Sequence, residues 1–171
     1  MPYTIEGMAD DTLGLLDALH LDRVHVVGIS MGGRIAIELA ARCRDRVDKL
    51  VLVSTSAAGT GRIRMSVPMR LMSVAQWIPS LHGKYPQPRS AHQRQRQAST
   101  SYDGTGRLEQ IHTPTLIMHG RRDKSIPLSR AEALHKAIAG SQLRVFAGGH
   151  MFCFLTERDE FLAQIDRFLT S

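Results

Sequence analysis

The run DKLVLVST, residues 48–55, sets Leu50, Val51, Leu52 and Val53 side by side with no polar residue between them. A short continuous apolar run of this kind belongs in a strand buried on both faces, which is the environment of a parallel sheet covered by helices on either side. Other segments repeat the theme. RVHVVGIS carries the β-branched Val24, Val26 and Val27, TPTLIMHGRRD a third strand, and SQLRVFAGGH a fourth. Helical stretches separate them. After Thr4, a suitable N-cap, the residues Ile5, Met8, Ala9, Leu13, Leu16 and Leu19 recur at the spacing of one helical face. GGRIAIELAARCRDR brings Ile35, Leu39 and Cys43 onto another, and LSRAEALHKAIAG ends in Gly140, a helix-stopping residue. The closing ERDEFLAQIDRFLTS offers Phe161, Leu162, Ile165, Phe168 and Leu169 to the sheet. Strands alternating with helices predict an α/β fold with right-handed parallel crossovers and about four parallel strands. No internal repeat is present.

Within VVGISMGGRIA, residues 28–32 match the pattern G-x-S-x-G between a strand and a helix. A sharp turn there lifts a serine hydroxyl clear of the backbone, and flanking glycines make room for it. The helix that follows aims its N-terminal amides at the same point, so the backbone N–H of Met31 is placed to bond a developing oxyanion. Read locally, the stretch also suits a plain turn serine. A hydroxyl is a poor nucleophile unless an imidazole takes its proton, and the imidazole needs an oriented acid. Asp123 follows the strand TLIMHG and His150 follows LRVFAGG. Each therefore stands at the C-terminal end of a parallel strand, where the sheet opens its crevice. The order Ser30, Asp123, His150 is also the order this architecture uses. The other histidines, His119 beside Gly120 included, read as structural or solvated.

GISMGG, TPTLIMHGRRDKSIP and FAGGHMFCFLTERDEFLAQIDRFL together resemble the C-terminal two-thirds of an α/β-hydrolase of the small esterase and lactonase type. The resemblance implies a nucleophile at Ser30, an acid at Asp123 and a base at His150, acting without a cofactor or metal on a small ester, lactone or related carbonyl compound. It divides the chain into a core at residues 1–56 and 109–171 and an inserted cap or lid at residues 57–108. It also implies a core incomplete at its N-terminus, short of four strands and of a second oxyanion donor. The strand at residues 23–28 would then be an apolar sheet edge open to pairing with another copy of the chain. A second reading accompanies that one, a catalytically silent chain kept for binding or interaction.

The net charge of +6 raises the question of nucleic acid, and its distribution answers it. Residues 57–110 hold eight basic residues against two acidic ones, a difference equal to the whole net charge. That segment lacks the interleaved aromatics of a single-strand binder and the pattern of a groove-reading helix, so no nucleic-acid partner is expected. It is rich in glycine and proline, and only residues 67–78 look capable of a helix there. Nothing resembles a membrane span, and MPYTIEGMADD lacks the basic and apolar regions of a signal peptide. With two cysteines, Cys43 and Cys153, in no metal-binding spacing, the expected compartment is the cytoplasm.

Overall fold

The computed structural model describes residues 3–59, 88–150 and 153–171. Helix α1 (Ile5–Ala18) begins at Thr4, whose hydroxyl oxygen accepts the Gly7 N–H at 3.0 Å. Strand β1 (Val24–Ile29), helix α2 (Met31–Arg42) and strand β2 (Val47–Val53) follow, then helix α3 (Arg89–Ser101) and strand β3 (Thr115–Gly120). Helix α4 (Leu128–Ala137), strand β4 (Gln142–Phe146), the short helix α5 (Cys153–Thr156) and helix α6 (Arg158–Thr170) complete the order. The four strands form one parallel sheet in the order β1-β2-β3-β4, as the alternation predicts.

Alternating residues of the continuous runs serve the two faces of the sheet. Leu50, Leu52 and Ile117 pack with α2 and α4 through Ile37, Leu39, Ala40, Ala131 and Leu134. Val51, Val53, Leu116 and Met118 face the other way, onto Phe161 and Phe168 of α6. Burial of each such side chain stabilises the fold by about 1.5–3 kcal/mol. Two expected core residues are not there. Leu19 lies past the last turn of α1 and is 57% exposed. Leu162 is rotated about 100° around the helix axis from Phe161, and it is 50% exposed. At the β1 edge Val27 and Ile29 are also exposed.

The larger correction concerns residues 89–101, part of the segment in which only residues 67–78 were expected to form a helix. They form α3, with only Ala98 and Ser99 buried along it. A helix with so little apolar face gives no 3.6-residue signal; Ala98 packs with Ile5 and Met8 of α1, and the rest of its attachment is polar. Arg34 of α2, 3% exposed, donates from Nη1 to the Ser99 carbonyl and hydroxyl and from Nε and Nη2 to the Ser56 carbonyl and hydroxyl. One helical turn on, Glu38 accepts from the Tyr102 hydroxyl at 3.0 Å and from Arg107 at 3.4 Å. Burial, together with the Glu38 charge, raises the Tyr102 phenol above its ordinary range and keeps it a donor. Between these anchors the backbone pairs: Gly59 N–H donates to Tyr102 and Gly104 N–H to Ala57, both at 2.7 Å, around an antiparallel bridge of Ala58 with Asp103. Residues 56–59 and 99–104 thus make a closed stem held to α2. The helix expected at residues 67–78 lies outside the described residues.

Candidate active site

Because the strands are parallel and in register, Ile29 beside Val53, Val53 beside Met118, and Gly120 beside Phe146, their C-terminal ends form one rim. Ser30 stands on that rim between β1 and α2. Its backbone is held at φ 53° and ψ −115°, a region that costs a non-glycine residue about 1–3 kcal/mol. The turn is fixed on both sides: the Ser30 N–H donates to the Val53 carbonyl at 2.9 Å, and the Thr55 hydroxyl donates to the Ser30 carbonyl at 2.6 Å.

Asp123 follows β3 by three residues and is 6% exposed. Its Oδ1 accepts the backbone N–H groups of Ser125 at 2.8 Å and Ile126 at 2.9 Å. Its Oδ2 is left to accept from His150 Nδ1 at 2.7 Å. Since a carboxylate only accepts, His150 carries a proton on Nδ1, so in the neutral ring Nε2 presents a lone pair. The Ser30 hydroxyl lies 2.9 Å from that nitrogen. His150 itself is 7% exposed. The loop that delivers it packs against the end of β3 so tightly that a Cβ on Gly120 would stand 2.5 Å from the Gly148 carbonyl oxygen. Ser30, Asp123 and His150, expected from sequence at three strand ends, therefore converge. Met31 is the first residue of α2, and its N–H is among the four that helix geometry leaves without an intrahelical acceptor. Among the described residues no group of three or more His, Cys, Asp or Glu side chains could hold a metal ion.

Two neighbours were not singled out as parts of the site from the sequence. Ser54, one residue past β2 and also at positive φ, donates its hydroxyl to the His150 carbonyl at 2.9 Å. Its place could have been read from the register, since it ends the strand beside β1. His119, fully buried in β3, bonds through Nε2 to the Ile126 carbonyl at 2.9 Å. Burial, the largest cause, lowers its pKa below the usual 6.5. In the unfolded chain the ring protonates near that value, so just below it the unfolded state binds the extra proton. The stability contributed by the neutral ring is therefore complete above pH 6.5 and is lost as pH falls through the window beneath. Urea unfolding at about pH 8 and about pH 5.5 should show a larger loss for wild type than for His119→Gln, which has no titrating ring. Equal losses would contradict this.

A model of the alpha/beta hydrolase family matches residues 1–165. The chain belongs to the alpha/beta hydrolase family. This alpha/beta hydrolase is 30% identical over 202 residues to a 2-hydroxy-6-oxo-2,4-heptadienoate hydrolase of Pseudomonas putida, an alignment covering 99% of this chain and 71% of that protein. Among solved structures it is similar to an esterase from Exiguobacterium antarcticum, with a TM-score of 0.76 and 27% identity over 100% of this chain and 75% of that one. The fold is also that of the enol-lactonase from Burkholderia xenovorans LB400, with a TM-score of 0.82 and 24% identity over 99% and 74% of the two chains. Among the described residues of the hydrolase no helix is long and apolar enough to cross a membrane.

Proposed function

We propose that this hydrolase cleaves a small ester, lactone or related carbonyl compound through a Ser30, His150 and Asp123 triad and an acyl-enzyme. The observation that carries the reading is the unbroken relay from Ser30 Oγ to His150 Nε2 at 2.9 Å and from His150 Nδ1 to Asp123 Oδ2 at 2.7 Å. Ser30 Oγ attacks the carbonyl carbon while its proton passes to His150 Nε2. The Met31 N–H bonds the oxyanion, helped by the positive end of the α2 dipole. Collapse of the tetrahedral intermediate expels the alkoxide, which takes the proton from His150. Water then gives a proton to His150 and attacks the acyl carbon; His150 returns that proton to Ser30 Oγ as the acid leaves. Asp123 holds the imidazole in the required tautomer throughout.

The esterase and the dienoate hydrolase among its relatives support small carbonyl compounds as the substrate class. Residues 57–108 are proposed to form a cap inserted in a core of residues 1–56 and 109–171, supported by the stem that closes both of their ends onto α2. A serine-directed fluorophosphonate probe tests the assignment. Wild-type protein should be labelled, and Ser30→Ala should lose labelling along with at least about 10⁴-fold of the turnover of a p-nitrophenyl ester. Absence of labelling on folded wild type would overturn the reading in favour of a binding chain.

A further inference from the structure

Among the described residues, His119 is the one fully buried charged or titratable side chain beside the triad that the mechanism above does not use. We propose that His119 is a positioning residue for the acid: its neutral imidazole, tied to the Ile126 carbonyl, holds the loop that aims Asp123 at His150. The inference rests on the triad reading and extends it by one residue.

The argument begins with the tautomer. The Ile126 carbonyl only accepts, so the 2.9 Å contact requires the proton on His119 Nε2. His119 Nδ1 then carries a lone pair, and it is buried with no hydrogen-bond partner among the described residues. A second proton would create a buried donor without an acceptor, which the interior resists. The ring is thereby kept neutral. Its charged or titratable neighbours are Asp123, whose Oδ2 lies 3.5 Å from Nε2, and His150. A cation at that place would compete with His150 for the same carboxylate oxygen, whereas a neutral ring leaves Oδ2 to His150.

The geometry of the loop explains why the tie matters. Ile126 donates its N–H to Asp123 Oδ1 while its own carbonyl accepts from His119, so one residue joins the carboxylate to the last turn of β3. Without the His119 bond, Asp123 keeps its two backbone donors, but the turn that carries them loses its buried attachment. Small displacements of a catalytic group are costly: about 1 Å of misplacement is enough for a hundredfold loss.

The test compares His119→Gln, whose amide N–H can replace Nε2 as donor to Ile126, with His119→Leu, which fills similar space and donates nothing. Expected are a kcat within about threefold of wild type for His119→Gln and at least about tenfold lower for His119→Leu, with KM little changed in both. The far-downfield proton resonance of the His150 Nδ1–H to Asp123 bond should persist in His119→Gln and be lost or moved upfield in His119→Leu. A His119→Leu protein with wild-type kcat and resonance would overturn the proposal, as would a folded His119→Gln protein that shows no rescue. Should His119→Leu fail to fold, His119→Asn, whose shorter amide does not reach Ile126, takes its place with the same expected losses. If folded wild type neither labels nor turns over, the triad reading falls, and the resonance still decides whether His119 positions Asp123.

Discussion

Asp123→Asn should lower kcat by about 10⁴-fold while leaving the fold intact, because the substitution reverses a tautomer. Asp123 Oδ1 accepts two backbone N–H groups, from Ser125 and Ile126. An asparagine must keep its oxygen there, since its nitrogen cannot accept. The amide N–H₂ is then turned to the place of Oδ2, facing His150 Nδ1. Imidazole meets a donor with its lone pair, so the ring proton moves to Nε2 and points at Ser30 Oγ. In the proposed triad, the base is thereby lost without a change of shape. Steady-state turnover of a p-nitrophenyl ester, read beside urea unfolding, measures both halves of the expectation. A kcat within about tenfold of wild type would show that Asp123 does not set the His150 tautomer.

The largest expected effect on stability lies at Gly28. A Cβ built on Gly28 would stand 2.7 Å from the Gly32 carbonyl oxygen, 2.7 Å from the Gly33 Cα and 2.8 Å from the Ala36 Cβ. Two of these three atoms are backbone, so no rotamer change relieves the contact and β1 must separate from α2. Gly28→Ala should lose about 3 kcal/mol in urea unfolding, at the upper end of the range for overpacked cores. Gly32→Ala is the matched control, because nothing lies within 4 Å of its would-be Cβ. Being helical, that position should gain up to about 1 kcal/mol from alanine. Equal midpoints for the two variants would mean that the strand-to-helix turn is not the tight contact described here.

What the sequence disclosed, and what it withheld, follows from how each element is held. Leu50 to Val53 and the TLIMHG run were legible because strands buried on both faces must be apolar at every position. Ser30, Asp123 and His150 were legible because a parallel sheet brings strand ends to one rim, so that order along the chain becomes proximity in space. Helix α3 was not. Its hold on the core is Arg34 to Ser99, a contact between residues 65 apart in the chain, together with Ala98 against Ile5 and Met8 of α1, and no local period encodes either. His119, read as structural or solvated, is a fully buried structural residue, but its partner was hidden for a related reason. Its neighbours along the chain show a strand end, while its importance lies in a carbonyl seven residues on, brought within reach by the Asp123 turn.

The stem at residues 56–59 and 99–104 has a consequence for how such a protein can change over generations. The hydrogen bonds of Gly59 and Gly104 already bring two distant stretches of chain together beside α2. Lengthening a loop whose ends are fixed adds only about 0.6 kcal/mol per doubling. Insertions between residues 59 and 88 should thus be tolerated while Arg34, Glu38, the buried Ala98 and the serine turn stay unaltered.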